Sequence, residues 1–237
     1  MEGHAQPRLA VRAARVERRW RLAALVLGAF VLSIGCNPLA TFSFIFEPDH
    51  MVAPKCPIAC DGKEVKVVIM AEHVMLPSNP VLAQADFELS VRLTQMLEER
   101  YKENKEQVKI VTPSQLKNYK NSHPKWREQS PQEIGKYLHA DYVISLEINE
   151  LRLQNRLDAK FFYHGRADID ITVTDVHKPA GEGEKWSCPY SLEYPRAPVD
   201  VNETSASQFR ARLLDRICKD LVQFFAAHPP GDKYNSD

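Results

Sequence analysis

From Glu64 onward the apolar positions of this chain switch repeatedly between two periods. Val65-Lys66-Val67-Val68-Ile69-Met70 is a short β-branched run and predicts a buried strand. Asn79-Pro80 joins a capping residue to a proline suited to the first helical position. Leu82, Ala85, Leu89, Leu93, Met96 and Leu97 follow at helical spacing, with Glu98, Glu99 and Arg100 turned to water. Val108 to Val111 predicts the next strand, and Thr112-Pro113 opens a short helix. Ser130-Pro131-Gln132-Glu133 is a capping box that starts another, with Ile134, Tyr137 and Leu138 as its apolar face. That helix runs straight into a strand, Asp141 to Ile148. Arg166 to Asp175 alternates almost strictly: Ala167, Ile169, Ile171 and Val173 share one face, and Asp168, Asp170, Thr172 and Thr174 the other. Lys185 to Leu192 returns as its partner, and Pro189 places that strand at an edge or a bulge. Phe209, Leu213, Ile217, Leu221 and Phe224 recur every three or four residues, predicting a long C-terminal amphipathic helix.

The predicted order is β-α-β-α-α-β-β-β-α. It specifies an α/β (α+β) sandwich: a mixed sheet with helices packed on one face and a long C-terminal helix. About 165 residues, 64–228, suffice for a single core. Residues 229–237 form a polar tail.

The N-terminal part has a different pattern. Six arginines between Arg8 and Arg21 precede Leu22 to Gly35, an uncharged apolar run that is shorter than the ~20 residues a membrane span needs. The run ends in Leu32-Ser33-Ile34-Gly35-Cys36, which resembles the lipobox of bacterial lipoproteins, with Ser33 where Leu is commonest. Residues 1–35 are therefore expected to be a signal peptide and Cys36 the lipidated N-terminus; an ordinary signal peptide, or a short anchor helix reaching Phe46, is the alternative. Residues 36–63, with Pro38, Pro48, Pro54 and Pro57, suggest a tether. The whole chain has 31 basic and 31 acidic residues, but the address carries six Arg and two Glu, so 25 basic face 29 acidic residues after its removal. That mildly acidic balance argues against a nucleic-acid partner.

Export allows disulfides. Cys56 and Cys60 are close enough to bridge locally, and a C-x3-C pair with no nearby His is a weak metal signal. Cys188, on a strand, and Cys218, on a buried helix face, are expected to be small core residues.

The segments VKIVTPSQLKNYK, SPQEIGKYLHADYVISLEI and GRADIDITVTDV, followed by a turn and EKW, resemble the periplasmic domain of bacterial lipoproteins of the curli-secretion and penicillin-binding-protein-activator type, and the TolB N-terminal domain. His139 stands where the family usually has glycine. The resemblance covers roughly residues 65–195. It implies a non-catalytic lipoprotein that meets another envelope protein. Without long alternating membrane strands in the connections, it does not imply a pore.

Chemical motifs are sparse. The histidines are scattered, with no H-E-x-x-H and no serine elbow, and glycine is too scarce for a phosphate loop. Asp168 and Asp170, beside Arg166, are expected to be a solvated sheet face with cross-strand charge pairs. No cofactor or metal is predicted. Two functions remain open. One is an accessory protein without catalytic activity, anchored to the membrane by its lipid, facing the periplasm and docking on an unidentified envelope protein through Tyr119, Trp126 and Arg127. The other is an enzyme or small-ligand binder that uses Glu72, His73 and the loop Met75 to Asn79, just past the first strand, where open α/β sheets often carry function.

Overall fold

The computed structural model describes residues 51–59, 62–154, 161–179 and 181–230. Cys36, Cys60 and the whole predicted address lie outside the described residues. The elements are β1 (Val65–His73), α1 (Ala85–Glu103), β2 (Val108–Ile110), α2 (Pro113–Ser122), α3 (Pro131–Tyr137), β3 (Tyr142–Arg152), β4 (Phe162–Asp175), β5 (Glu184–Asp200) and α4 (Ala206–Phe225), in the order the periodicity predicts. Short 3₁₀ turns lie at Pro80–Leu82 and Trp126–Glu128. The Asn79 side chain caps the first of these and not the long helix, which begins at Ala85. Two full capping boxes, Thr112/Gln115 and Ser130/Glu133, fix the starts of α2 and α3 by satisfying backbone donors that a helix start leaves open.

The strands form one mixed sheet ordered β2-β1-β3-β4-β5. β1 runs parallel to both β2 and β3, while β3, β4 and β5 are antiparallel neighbours. β5 is an edge strand, which is what Pro189 requires. Chain order and spatial order disagree at one place. The chain steps from β1 outward to β2 and then back across β1 to β3. Right-handed crossovers in opposite directions put their helices on opposite faces. Accordingly α1 packs on the face carrying Val65, Val67, Ile69 and Ala71, together with α4. The face carrying Val68 meets α2 and α3 through Leu116, Tyr119 and Ile134, with Val143 and Val176. The two long helices thus share one face, but the two short ones cover a part of the other, so the helices are not confined to a single face as the sequence pattern suggests.

The principal core follows the predicted stripes. Ala167, Ile169, Ile171 and Val173 are all buried, and so are Phe209, Leu213, Ile217 and Leu221 opposite them. Cys218 lies in this core and Cys188 on β5 is half-buried; both are free thiols, and burial pushes the Cys218 thiol up to about 12. The apolar contacts of the domain begin before Glu64. Ile58 and Cys56 are buried, the Cys56 N–H donates to the Phe224 carbonyl at 2.8 Å, and Val52 forms a β-bridge with His228. This docked stretch falls inside 36–63, where composition suggests only a tether.

Two residues of α3 and its exit depart from the simple stripe. Tyr137 is exposed, its ring lying against Tyr119 and His123 instead of entering the core. His139 has φ of 54°, in the left-handed region, directly after the helix cap at Leu138. Glycine is the usual residue there because it pays no Cβ penalty.

Candidate functional site

The step back across β1 leaves a switch point between β1 and β3, and open α/β sheets bind ligands outside the carboxyl ends of strands at such points. Here that position holds a cleft of about 540 Å³. β1 supplies Met70 and Glu72, β3 supplies Ser145 and Glu147, α3 supplies Ile134, and the 3₁₀ turn supplies Trp126 and Arg127. Val74 and Leu76, just after β1, form its rim. Two sets of residues singled out separately in the sequence, Glu72 with its following loop and Trp126 with Arg127, therefore meet in one place.

Strand alternation dictates which side chains enter. Glu72 lies on the same face as Val68 and Met70, so it belongs to the cleft. His73 is its neighbour on the strand and turns to the other face. Burial lowers its pKa, with the Asp86 carboxylate and the Leu82 backbone acting against that shift. His73 also borders the cleft, and among the described residues no hydrogen bond joins it to Glu72. On β3, Ser145 and Glu147 share the cleft face, two residues apart. Ser145 pairs in register with Met70, and Glu147 with Glu72 on one side and Asp170 on the other.

This register lines up three carboxylates across adjacent strands, an arrangement that like-charge repulsion disfavours. Glu72 is neutralised by Lys120 at 2.9 Å, and Asp170 accepts from Asn149 at 2.8 Å. Among the described residues Glu147 has no such partner. The Ser145 hydroxyl is also without one, although the residue is only 6% exposed. The Lys120 ammonium sits 4.2 Å over the Trp126 ring, with the Arg127 guanidinium 5.1 Å from the same ring. Trp126 is half-buried against the smaller core, so it both lids that core and walls the cleft. Tyr119 requires a correction: it is enclosed in the same core with its hydroxyl donating to Gln129, and it offers no surface to a partner.

Farther along the open face the charges pair as expected. Arg166 bridges Asp168 at 2.8 Å, Glu193 at 3.0 Å and Glu150 at 3.3 Å. Ser145 and Glu147 were not foreseen as site residues. Their signal was present, since a serine and a glutamate interrupt the apolar run Tyr142-Val143-Ile144-Ser145-Leu146-Glu147-Ile148 on one face only. Among the described residues no group of three His, Cys, Asp or Glu side chains could hold a metal ion, and no helix is long and apolar enough to cross a membrane.

No family model matches the chain, and no curated protein does. Solved structures do resemble it. Lipoprotein GNA1162 from Neisseria meningitidis is 10% identical, with 66% of this chain and 97% of that chain covered and a TM-score of 0.43. PelC from Paraburkholderia phytofirmans, solved as a dodecamer, is 13% identical over 76% of this chain and all of its own, with a TM-score of 0.39. XCC0632 from Xanthomonas campestris, a DUF330 protein, is 10% identical over 74% of this chain and 91% of its own, with a TM-score of 0.40. Likenesses at this level say nothing of what the chain does.

Proposed function

We propose that this chain is an accessory lipoprotein of the bacterial envelope, anchored through Cys36 and facing the periplasm, and that it docks its α/β domain on an envelope protein without performing chemistry of its own. It would act in the manner that the activator-type resemblance implies. One observation carries the reading: Val74, Met75 and Leu76 stand 58%, 75% and 90% exposed, side by side, at the rim of the cleft that Trp126 walls. Consecutive exposed apolar side chains beside a polar depression form the sort of surface that partner proteins cover.

A photo-crosslinking residue at position 76, in intact cells, tests this. The expected result is a discrete adduct with one envelope protein that is absent when the same residue is placed at Glu98, on the exposed side of α1. The absence of any adduct specific to position 76 would overturn the docking surface. Cys36→Ser tests the anchor separately. The variant should lose incorporation of labelled palmitate and leave the membrane fraction; a wild-type chain that takes up no palmitate would refute lipidation.

A further inference from the structure

We propose that the cleft between the carboxyl ends of β1 and β3 seats a basic side chain of the partner, an ammonium or guanidinium on an apolar stem. The proposal rests on the docking reading above. Its first support is the Ser145 hydroxyl, which is more than nine-tenths buried, lines the cleft and has no hydrogen-bond partner. A buried hydroxyl left unpaired destabilises the fold, so a ligand that supplies a donor recovers that loss. The second is Glu147, two residues along the same face, held in register between Glu72 and Asp170. Its neighbours each have a local donor, Lys120 and Asn149, and Glu147 has none among the described residues.

Together these groups lack a cation with several N–H donors, which lysine and arginine carry. An anion would meet the unpaired Glu147 carboxylate, because Lys120 is already paired with Glu72 and the Arg127 guanidinium lies over the Trp126 ring. An apolar group would strip water from the exposed Glu147 carboxylate, leave the Ser145 hydroxyl unpaired and give nothing back. Lys120 shows the same chemistry one strand away, with its ammonium on Glu72 at 2.9 Å and its charge over the Trp126 ring. Met70 and Ile134 supply wall for the methylenes, and the volume falls within the usual range of small-ligand sites. The exposed run from Val74 to Leu76 would take the residues flanking the basic one, which favours a protein segment over a free amine.

The test is titration of the isotope-labelled full chain, in detergent micelles, with three blocked amino acids: acetyl-lysine, acetyl-arginine and acetyl-norleucine methylamides. The basic probes should give saturable shifts at the Ser145 and Glu147 amides, and the norleucine probe should give none. Glu147→Gln should weaken the basic probes about tenfold, the loss of one charge-assisted hydrogen bond, at unchanged melting temperature. Shifts that do not saturate, equal shifts with norleucine, or no weakening in Glu147→Gln would each overturn the proposal. Crosslinking from position 76 gives the second arm. Capture that falls in Glu147→Gln supports a basic side chain from the partner. Capture unaffected by Glu147→Gln overturns the cation pocket and leaves the accessory reading standing. Probe binding without any capture at position 76 overturns the partner as the source, assigns the pocket to a free amine, and removes the accessory reading.

Discussion

The face of the sheet beneath α1 and α4 is sealed from β2 to β5, whereas among the described residues the opposite face is covered where α2 and α3 lie over β1, β3 and the end of β4. On the sealed face every inward residue of the central part of β4 meets a buried residue of the long helices or of the neighbouring strands. On the other face a small core of eight buried residues gives way within two strand positions to Met70, Ser145 and then a row of carboxylates. The difference separates two tasks. Burial of full Leu and Phe side chains, at about 1.5–3 kcal/mol each, holds the fold from one side. The half-covered side can then carry unpaired polar groups that would be too costly inside a core.

That contrast can be broken first where it is strongest. Leu213 is fully buried under the sheet, and Leu213→Ala should cost about 2–5 kcal/mol in a denaturant titration. A loss below ~0.5 kcal/mol, the size of a surface change, would mean α4 does not seal that face. On the partly covered face the corresponding weak point is Gly135. A Cβ there would lie 2.4 Å from one Val176 methyl and 2.9 Å from one of Val143. Gly135→Ala should therefore overpack the small core at a cost of about 1–3 kcal/mol. If it is tolerated without loss, α3 rests on the sheet more loosely than these distances require.

The exit from α3 gives a change of opposite sign. His139 holds a left-handed conformation that costs a side-chain-bearing residue about 1–2 kcal/mol, offset in part by the entropy glycine loses on folding. His139→Gly should raise stability by up to ~1 kcal/mol, read as a higher denaturation midpoint; a lower midpoint would show that the imidazole contributes more than its backbone strain costs.

His73, at the boundary between the faces, tests the burial of the strand end. Burial depresses its pKa, so the unfolded chain takes up the proton more readily than the folded one. Its contribution is intact above the ordinary histidine value of ~6.5 and is lost as pH falls below it. His73→Gln should make the decline of stability between pH 7 and pH 5 shallower; an unchanged slope would place the imidazole in water. The smallest effect belongs to the rim. Leu76→Ser should change stability by no more than ~0.5 kcal/mol while reducing partner capture, because the side chain is 90% exposed.

Much of the sealed face was legible in the sequence. Ala167, Ile169, Ile171 and Val173 declare a period of two, and Phe209, Leu213, Ile217 and Leu221 a period near 3.6, because a core selects apolar residues wherever an element points into it. The capping box at Ser130 and Glu133 was equally plain, since it is satisfied by neighbours in the chain. The site was legible only in fragments. Glu72 and Trp126 drew attention, but Ser145 and Glu147 did not, and Tyr119 pointed the wrong way because an aromatic ring in a polar helix can face either side.

Local periodicity was enough for the order of elements and for most of the stripes they bury. The placement of β1 between β2 and β3 appears only in three dimensions. That placement reverses the direction of the second crossover and sends α2 and α3 to the far face. It also brings Glu72 beside Glu147 and Ser145, residues more than seventy positions apart. Strand order depends on long-range pairing, and local periodicity reports which face a residue takes but not which strand lies next to it.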